Sequence, residues 1–580
     1  MEKVLEIVTI LLNSIDLTEL FTFTVRWVFP ILAVMIFLRC VLTLLCDRGH
    51  DTVWGFLDIP NSFSIPLKHW ENSIGRSRLS DIVINLPFVS RSHAVLTFDG
   101  EHWYITDLGS KGGVAVNGEK VEKSETVEEG DTISLAGAEF LLLPVEMGYE
   151  NIETKGYLKW FSGFGRNYTS GKTFLLILVF QFLGGIQVYL SAGDESKLAI
   201  PLVFSLFIIA EICFYIIILK CSRKYIELEL LAFFLCGINL LVVAAASTNH
   251  LYKQFIAIVL GIVSYLAIRI IMKDVIRARR MKYVLAVGAL VLMLLNLTIG
   301  EVHFGARNWI NLGFITFQPM EFVKVAFVLA GTATLDKLLT TRNLTAFIGF
   351  SGSCIIALIL MRDLGTAVIF FGTFLVIAFM RSGDLRTIAL ISSGAVLGAI
   401  AVVFLLPYIA ARFKAWGHVW EYADTIGYQQ TRTMISAASG GLVGVGGGNG
   451  YLVNVAAADT DLVYGILCEE WGLITALTAV LIIVFFAVLA VFLTKRCKSS
   501  LYAIAACGTA SIFLIQTALN VFGSVDLLPL TGVTLPFISN GGSSMVTSWA
   551  LLAFIKAADD RFRPAADCRE NEYINGKGNG

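Results

Sequence analysis

Apolar runs long enough to cross about 30 Å of hydrocarbon recur along most of the chain. They occupy residues 27–46, 173–191, 198–219, 227–247, 252–272, 282–299, 322–338, 345–361, 365–381, 387–406, 472–494, 501–521 and 541–557. The pattern predicts a polytopic α-helical membrane protein of about thirteen spans. Connections rich in Lys and Arg at 220–226, 273–282, 337–343, 381–386 and 494–498 fall in alternate loops, which the positive-inside rule assigns to the cytoplasm. This puts the N-terminus and the 407–471 loop outside, and 47–172 and the C-terminal tail inside.

Two regions break the pattern. Residues 60–145 alternate in short runs (HAVLTF, HWYIT, TISLA) separated by FDGE, NGE and EEGD, which predicts an inserted all-β sandwich. Residues 407–471 are too long for an ordinary connection and contain SGGLVGVGGGNG, so this loop is a functional candidate. The expected division is an N-terminal segment and anchor (1–50), the soluble domain (51–150), a linker with two extra spans (151–226), a membrane body (227–560) and a tail (561–580).

Composition agrees: 56% of the 580 residues are hydrophobic and only 15% charged, with a mean hydropathy of +0.74. A net charge of −1 suggests neither a nucleic-acid partner nor an acidic tail. The ten cysteines form no C-x-x-C pair and read as small apolar residues. The first 25 residues carry Glu2, Glu6, Asp16 and Glu19 and lack a cleavable-signal pattern, which predicts a retained anchor.

In the β-region, IGRS (74–77), VSRSHAVL (89–96), TDLGSKGGVAVNG (106–118) and EEGDTISL (128–135) resemble in order and spacing the forkhead-associated (FHA) domain, a phosphothreonine reader. The resemblance implies that Arg76 and Ser90 hold a phosphate, with Arg91 and Lys111 as neighbouring contacts. His93 is expected to brace the loop, and Gly75, Asn117 and Gly118 to shape turns. Gly112 stands where the family usually has a peptide-gripping asparagine. A sandwich that only docks, with no phosphate chemistry, is the alternative.

Four polar stretches lie at membrane edges expected on one side: FGARNWINLGFITFQPMEFVK (304–324), RDLGTA (362–367), the loop ending DTDLVYGILCEEWG (459–472), and LLPLTGVTLPFISNGGSS (527–544). In this order they resemble the SEDS family, the FtsW/RodA/SpoVE proteins, over roughly 227–560, and imply its ten-helix body. The matching residues include Gly305, Ala306, Arg307, Trp309, Gln318, Pro319, Glu321 and Lys324, then Asp363–Ala367, Thr460, Asp461, Glu469, Glu470 and Gly472, and Leu528–Ser544. Departures include Val455–Asp459 before the T-D pair, Met361 and Arg362 before the D-L-G-T-A run, Met320, and Asn540.

The resemblance implies polymerisation of lipid II into β-1,4 glycan strands, with Asp461 as catalytic carboxylate and a class B penicillin-binding protein, a transpeptidase, as partner. The chain has no transpeptidase domain of its own, and the sandwich is expected to connect it to a Ser/Thr kinase or a phosphothreonine protein. Arg307, Lys324 and Arg432 are candidate cations for the pyrophosphate, with Trp309, Glu321, Ser543 and Ser544 lining the substrate site. Glu469 and Glu470 are expected to brace the bundle, more than two turns into a helix that starts near Asp461. Asp459 and Asp461 lie close enough to share a divalent cation (Mg or Mn), and no other cofactor is expected.

Each residue also has a plainer reading. Asp461 could be a helix N-cap, Glu321 with Lys324 a buried pair, and Arg307 with Trp309 an interface anchor. The run GGLVGVGGGNG lacks Walker spacing and is expected to let backbone approach substrate or to fold beneath a lid. The rival functions are a lipid II flippase and an inactive FHA-containing scaffold.

Overall fold

The structure, a computed structural model, describes residues 17–46, 53–58, 64–77, 80–99, 102–145, 170–193, 197–220, 226–273, 275–303, 306–311, 313, 316–333, 341–382, 385–405, 407–494, 497 and 499–559. The expected linker before residue 170, the tail 561–580, most of the basic loop at 220–226, residues 337–340, Gly305, Cys221 and Cys568 lie outside the described residues.

A helix stands at each apolar stretch read from the sequence. Inside hydrocarbon a segment must satisfy its own backbone, and a helix does so residue by residue. The helices are α1 (Leu17–Cys46), α2 (Ser170–Ser191), α3 (Ala199–Lys220), α4 (Glu227–Ala246), α5 (Leu251–Met272), α6 (Val275–Ile299), α7 (Pro319–Ala333), α8 (Thr341–Leu360), α9 (Leu364–Ser382) and α10 (Leu385–Leu405). The long loop then adds α11 (Pro407–Ala415) and α12 (Tyr428–Gly440), followed by α13 (Val463–Ile466), α14 (Gly472–Thr494), α15 (Ser500–Ser524) and α16 (Gly542–Ala557). Among the described residues, eight helical segments are long and apolar enough to cross a membrane by themselves, and shorter apolar stretches lie in α8, α9 and α10.

Nearly every residue of α4 is buried, as are most residues of α15. Asn239 on α4 and Gln516 and Asn520 on α15 are held there by specific partners, as a low-dielectric interior favours. The two extra helices α2 and α3 pack on this body. Gln181 Nε2 donates to Glu211 Oε1 (2.8 Å), and Phe180 meets Phe29 and Phe234 edge-on at 5.1 and 4.9 Å.

The soluble region is the two-layered sandwich that its alternating pattern predicts. One sheet has the order β2 (Ser64–Leu67), β1 (Gly55–Asp58), β11 (Ala138–Leu143), β10 (Thr132–Leu135), β7 (Val114–Val116), β8 (Glu119–Lys120). The other runs β4 (Ile82–Val83), β3 (Glu71–Gly75), β5 (Ala94–Phe98), β6 (Trp103–Asp107), β9 (Ser124–Val127). Leu57, Ile74, Leu96, Ile105 and Ile133 are fully enclosed between the sheets. Each such side chain contributes about 1.5–3 kcal/mol of burial.

One element has no counterpart in the sequence reading. Between α6 and α7 the chain forms short antiparallel strands, β12 (Glu301–His303), β13 (Ala306–Asn311) and β14 (Thr316–Phe317). Strands this short leave no measurable period-two signal. Arg307 N–H donates to Met361 O (2.9 Å), which fixes the ribbon to the turn before α9.

Candidate active site

Asp461 lies in a turn and is not the N-cap of the helix behind it. That helix opens at Val463 after Leu462. The amides of Thr460 and Asp461 both donate to Ala457 O (3.3 and 2.9 Å), with Ala457 itself in the left-handed region at φ +60°.

The turn is clamped from two directions. Ser539 Oγ donates to Thr460 O (2.5 Å), and Asn540 donates from its amide to Asp459 O (2.8 Å) and from Nδ2 to Asp459 Oδ2 (2.7 Å). Behind them, Asn239 Nδ2 on α4 donates to Ile538 O and Ser539 O (2.7 and 2.9 Å). From α15, Asn520 Nδ2 donates to Asp461 O (3.0 Å) and Val533 O (2.7 Å).

The Asp461 carboxylate faces Gly532, whose φ is +70°; a Cβ there would stand 3.2 Å from Asp461 Oδ2. A side chain at 532 would therefore be strained and would crowd the acid. The half-buried carboxyl is pushed up to about 6, chiefly by desolvation, and Asp459 and Asp363 act in the same direction. The Thr460 hydroxyl and the Arg412 guanidinium on α11 oppose them. Asp461 is thus ionised at neutral pH while remaining a far better proton acceptor than an ordinary aspartate.

Asp363 begins α9 as an N-cap, its Oδ1 accepting from Thr366 N–H (3.1 Å) and its Oδ2 from Asn308 Nδ2 (3.4 Å). Gly365 lets this turn press against the loop that holds Gly532, since a Cβ would strike Val533 at 2.5 Å and Thr531 at 3.0 Å.

Glu321 and Lys324 form a buried pair on α7, Nζ to Oε1 at 2.7 Å. Gln516 Oε1 accepts from Lys324 (3.0 Å), Thr547 Oγ1 donates to Glu321 Oε2 (3.0 Å), and Gln516 Nε2 donates to Thr534 Oγ1 (3.0 Å), itself 2.8 Å from Ser544 Oγ. Ser543 Oγ accepts from Gln318 N–H (3.0 Å). Lys324, with 1% of its side chain exposed, is committed to this network.

Arg307 is exposed and donates to Leu297 O (3.1 Å), beside the half-buried Trp309. Exposed Arg432 lies over the Tyr428 ring at 5.1 Å. Among the described residues no group of three His, Cys, Asp or Glu side chains gathers as a metal cage.

The long helix expected from Asp461 onward is interrupted. Residues Leu467–Trp471 form a π-helical turn between α13 and α14, and Gly472 adopts φ +83°. A π-turn leaves carbonyls without their usual partners. The glycine-rich loop supplies amides instead: Val445 and Gly446 donate to Glu469 O and Glu470 O (2.8 and 3.0 Å). Tyr451 and Leu452 donate to the two carboxylate oxygens of Glu469 (3.0 Å each), and Gly448 donates to Glu470 Oε2 (3.1 Å). The glycines are needed for this approach, because a Cβ at Gly440 or Gly444 would stand 2.0 or 2.2 Å from a carbonyl oxygen. The run therefore wraps the Glu469–Glu470 turn.

Arg412 and Asn520 were not among the residues singled out from the sequence, and Gly532 entered only as part of the Leu528–Ser544 stretch. An asparagine inside the apolar run of α15 is the signal that would have found Asn520. Arg412 lies in the long loop, where no periodicity marks it.

In the sandwich, Arg76 and Ser90 meet at one end. Arg76 N–H donates to Ser90 O (3.0 Å) and its side chain to Pro87 O (3.3 Å), while Lys111 N–H donates to Ser90 Oγ (3.1 Å). Arg76, Arg91 and Lys111 are exposed there. Fully buried His93 accepts from Ser90 N–H at Nδ1 (3.1 Å), which leaves Nε2 to donate to Gly113 O (3.0 Å). Asn117, at φ +51° before Gly118 at +87°, accepts from Thr132 N–H (2.9 Å) and donates to Asp131 (2.8 Å). At Gly112 a Cβ would stand 2.2 Å from Ala136 Cβ, which explains the glycine.

Compared with known proteins, residues 226–563 match the model of the FtsW/RodA/SpoVE cell cycle proteins, and residues 72–136 match that of the FHA domain. The chain belongs to the FtsW/RodA/SpoVE family. The probable peptidoglycan glycosyltransferase FtsW of Buchnera aphidicola is 31% identical over 288 residues, 48% of this chain and 72% of that protein. The peptidoglycan glycosyltransferase RodA of Mycobacterium leprae is 26% identical over 322 residues, 52% and 68% of the two chains. The stage V sporulation protein E of Bacillus subtilis is 30% identical over 264 residues, 43% and 69%. A chain solved in a study of coordinated polymerisation and crosslinking by a peptidoglycan synthase complex shares the fold. It is 24% identical with a TM-score of 0.50, and the match covers 58% of this chain and 98% of that one. The FtsW/RodA/SpoVE match leaves out α1, α2, α3 and the FHA sandwich, which this chain adds to the family body.

Proposed function

We propose that the chain is a peptidoglycan glycosyltransferase that polymerises lipid II, with Asp461 as general base and the FHA domain as a phosphothreonine reader. The observation that carries this is a carboxylate held by its own backbone in a clamped turn, facing a glycine, and poised near pH 6. Membership of a family in which the RodA and FtsW relatives are named peptidoglycan glycosyltransferases supports the reaction class.

The 4-hydroxyl of one lipid-linked disaccharide gives its proton to Asp461 as its oxygen bonds the anomeric carbon of the growing strand. The bond from that carbon to the pyrophosphate oxygen breaks, and undecaprenyl pyrophosphate leaves. Arg412, Arg307 and Arg432, which are exposed and form no ion pair among the described residues, supply charge to the leaving group. Lys324 acts by holding Glu321 and Gln516, and so the Thr534–Ser544 wall. Asp459 and Asp461 would hold a divalent cation if one takes part, and Asn540 already orients one Asp459 oxygen.

With the reaction on the extracytoplasmic side, the FHA domain is cytoplasmic and a class B penicillin-binding protein supplies cross-linking. At the FHA end, Arg76, Ser90 and Lys111 present a guanidinium, a hydroxyl and an ammonium to a phosphate.

The test is purified full-length protein with fluorescent lipid II, with and without a partner transpeptidase, comparing wild type with Asp461→Asn. Glycan strands from the wild type, lost in the variant while lipid II binding persists, are expected. Lack of polymer under every partner condition, or equal polymer from Asp461→Asn, would overturn the reading.

A further inference from the structure

The FHA sandwich is seated on the helical body through three consecutive residues. His69 Nδ1 lies 2.8 Å from Cys497 O, Trp70 packs against the core of the helical body, and Glu71 reaches the start of α15. There Ser499, the N-cap of α15, donates to Glu71 Oε1 (3.1 Å), and Ser500 donates to Glu71 Oε2 from its amide (3.3 Å) and from its hydroxyl. A carboxylate at a helix N-terminus meets both unpaired amides and the positive end of the helix dipole, so Glu71 completes the cap from another domain.

The same helix reaches the active site at its far end. Its 25 residues span about 37 Å at 1.5 Å per residue. Near its C-terminus Asn520 holds Asp461 O and Val533 O, and one turn earlier Gln516 holds Lys324 and Thr534. Asn520 and Gln516 are four apart and share a helix face.

We propose that α15 couples the two halves of the protein: the FHA domain docks on its N-terminus through His69, Trp70 and Glu71, and Asn520 at its other end positions Asp461. The strand that makes the dock also leads to the phosphate-reading end. Glu71 opens β3, and Arg76 follows its last residue, Gly75, about 17 Å away along extended backbone. Arg76 stays exposed while Glu71 is engaged, so a phosphopeptide can bind the docked domain and act on the cap through β3. The regulatory consequence rests on Asp461 being the base, whereas the coupling itself does not.

Hydrogen–deuterium exchange on the full chain in lipid nanodiscs tests the coupling without reference to activity. Glu71→Ala, or Ser500→Ala from the membrane side, is expected to speed exchange at 500–502 and also at 457–463 by about two- to tenfold, the worth of one or two lost hydrogen bonds. Glu119→Ala, on the exposed β8, should change neither segment. Asn520→Ala should speed exchange at 457–463 alone, and adding Glu71→Ala to it should give no further increase there. Unchanged exchange at 500–502 in both dock variants would overturn the dock. A response confined to 500–502, or a full extra response at 457–463 in the double variant, would overturn transmission through Asn520. Protection of β5 and β6 reports whether the sandwich stays folded, and if Glu71→Ala loses it, Ser500→Ala alone decides. A protein inactive on lipid II would still give either answer, so failure of the enzymatic reading is separable.

Discussion

Lys324 Nζ and Glu321 Oε1 lie 2.7 Å apart one helical turn from each other, with 1% and 6% of their side chains exposed. Removing one partner strands the other as an uncompensated charge, which costs about 3–5 kcal/mol when buried. Lys324→Met or Glu321→Gln alone is therefore expected to lower the thermal midpoint in detergent sharply and to abolish activity. The double variant should recover most of the midpoint, since an apolar or neutral pair carries no desolvation penalty. Recovery of folding without recovery of activity would show that the pair also shapes the substrate wall through Gln516 and Thr534.

Asp461 is poised at about 6, raised chiefly by desolvation, with Asp459 pushing it up and Arg412 pulling it down. If Asp461 is the base proposed above it must be ionised, so kcat/KM is expected to rise through pH 6 to a plateau and to be about tenfold lower one unit below that value. Asp459→Asn removes a like charge and should move the acid limb to lower pH. Arg412→Ala removes an opposite charge and should move it to higher pH. Opposite displacements in pH–rate profiles are the check, because generic damage to the fold would not move the two limbs apart.

The helical body and the sandwich were legible because each announces itself over many residues: apolar runs of span length, and strands alternating with turn residues. The four membrane-edge motifs singled out Asp461 as the candidate carboxylate. Its surroundings were not legible. Asn520 and Gln516 look like isolated polar interruptions until α15 folds, and Arg412 is brought near Asp461 by a loop without periodicity. The π-turn at 467–471 and Gly472 at φ +83° break the helix expected from Asp461 through Glu469, and amides of the glycine-rich loop meet the carbonyls of Glu469 and Glu470 there. The strands β12 to β14 were too short to register at all.

The two carboxylate oxygens of Glu469 accept the amides of Tyr451 and Leu452 at 3.0 Å each. Glu469→Ala leaves the amide of fully buried Leu452 unpaired, at roughly 1–3 kcal/mol, and frees the amide of exposed Tyr451. Limited proteolysis and exchange over 445–455 should then show the loop released from the π-turn. Gly444→Ala should release it too, since its φ is +84° and a Cβ would meet Glu470 O at 2.2 Å. Retained protection in both variants would mean that the loop is held by other contacts.

Gly112 occupies the place where FHA domains usually present an asparagine, and the enclosing contact is Ala136, whose Cβ lies 2.2 Å from where a Cβ on residue 112 would stand. Gly112→Asn alone is therefore expected to destabilise the sandwich by about 1–3 kcal/mol through overpacking. Pairing it with Ala136→Gly removes the obstructing methyl and also suits the backbone, because residue 136 has φ +53°. The double variant should regain most of the lost stability, the Ala136 Cα still standing 3.0 Å from the new Cβ, and bind a phosphothreonine peptide more tightly in a fluorescence-polarisation titration of the full chain. Arg76→Ala should abolish that binding in either background. Equal affinity in the double variant and wild type would show that the exposed Lys111 already provides what the asparagine does elsewhere.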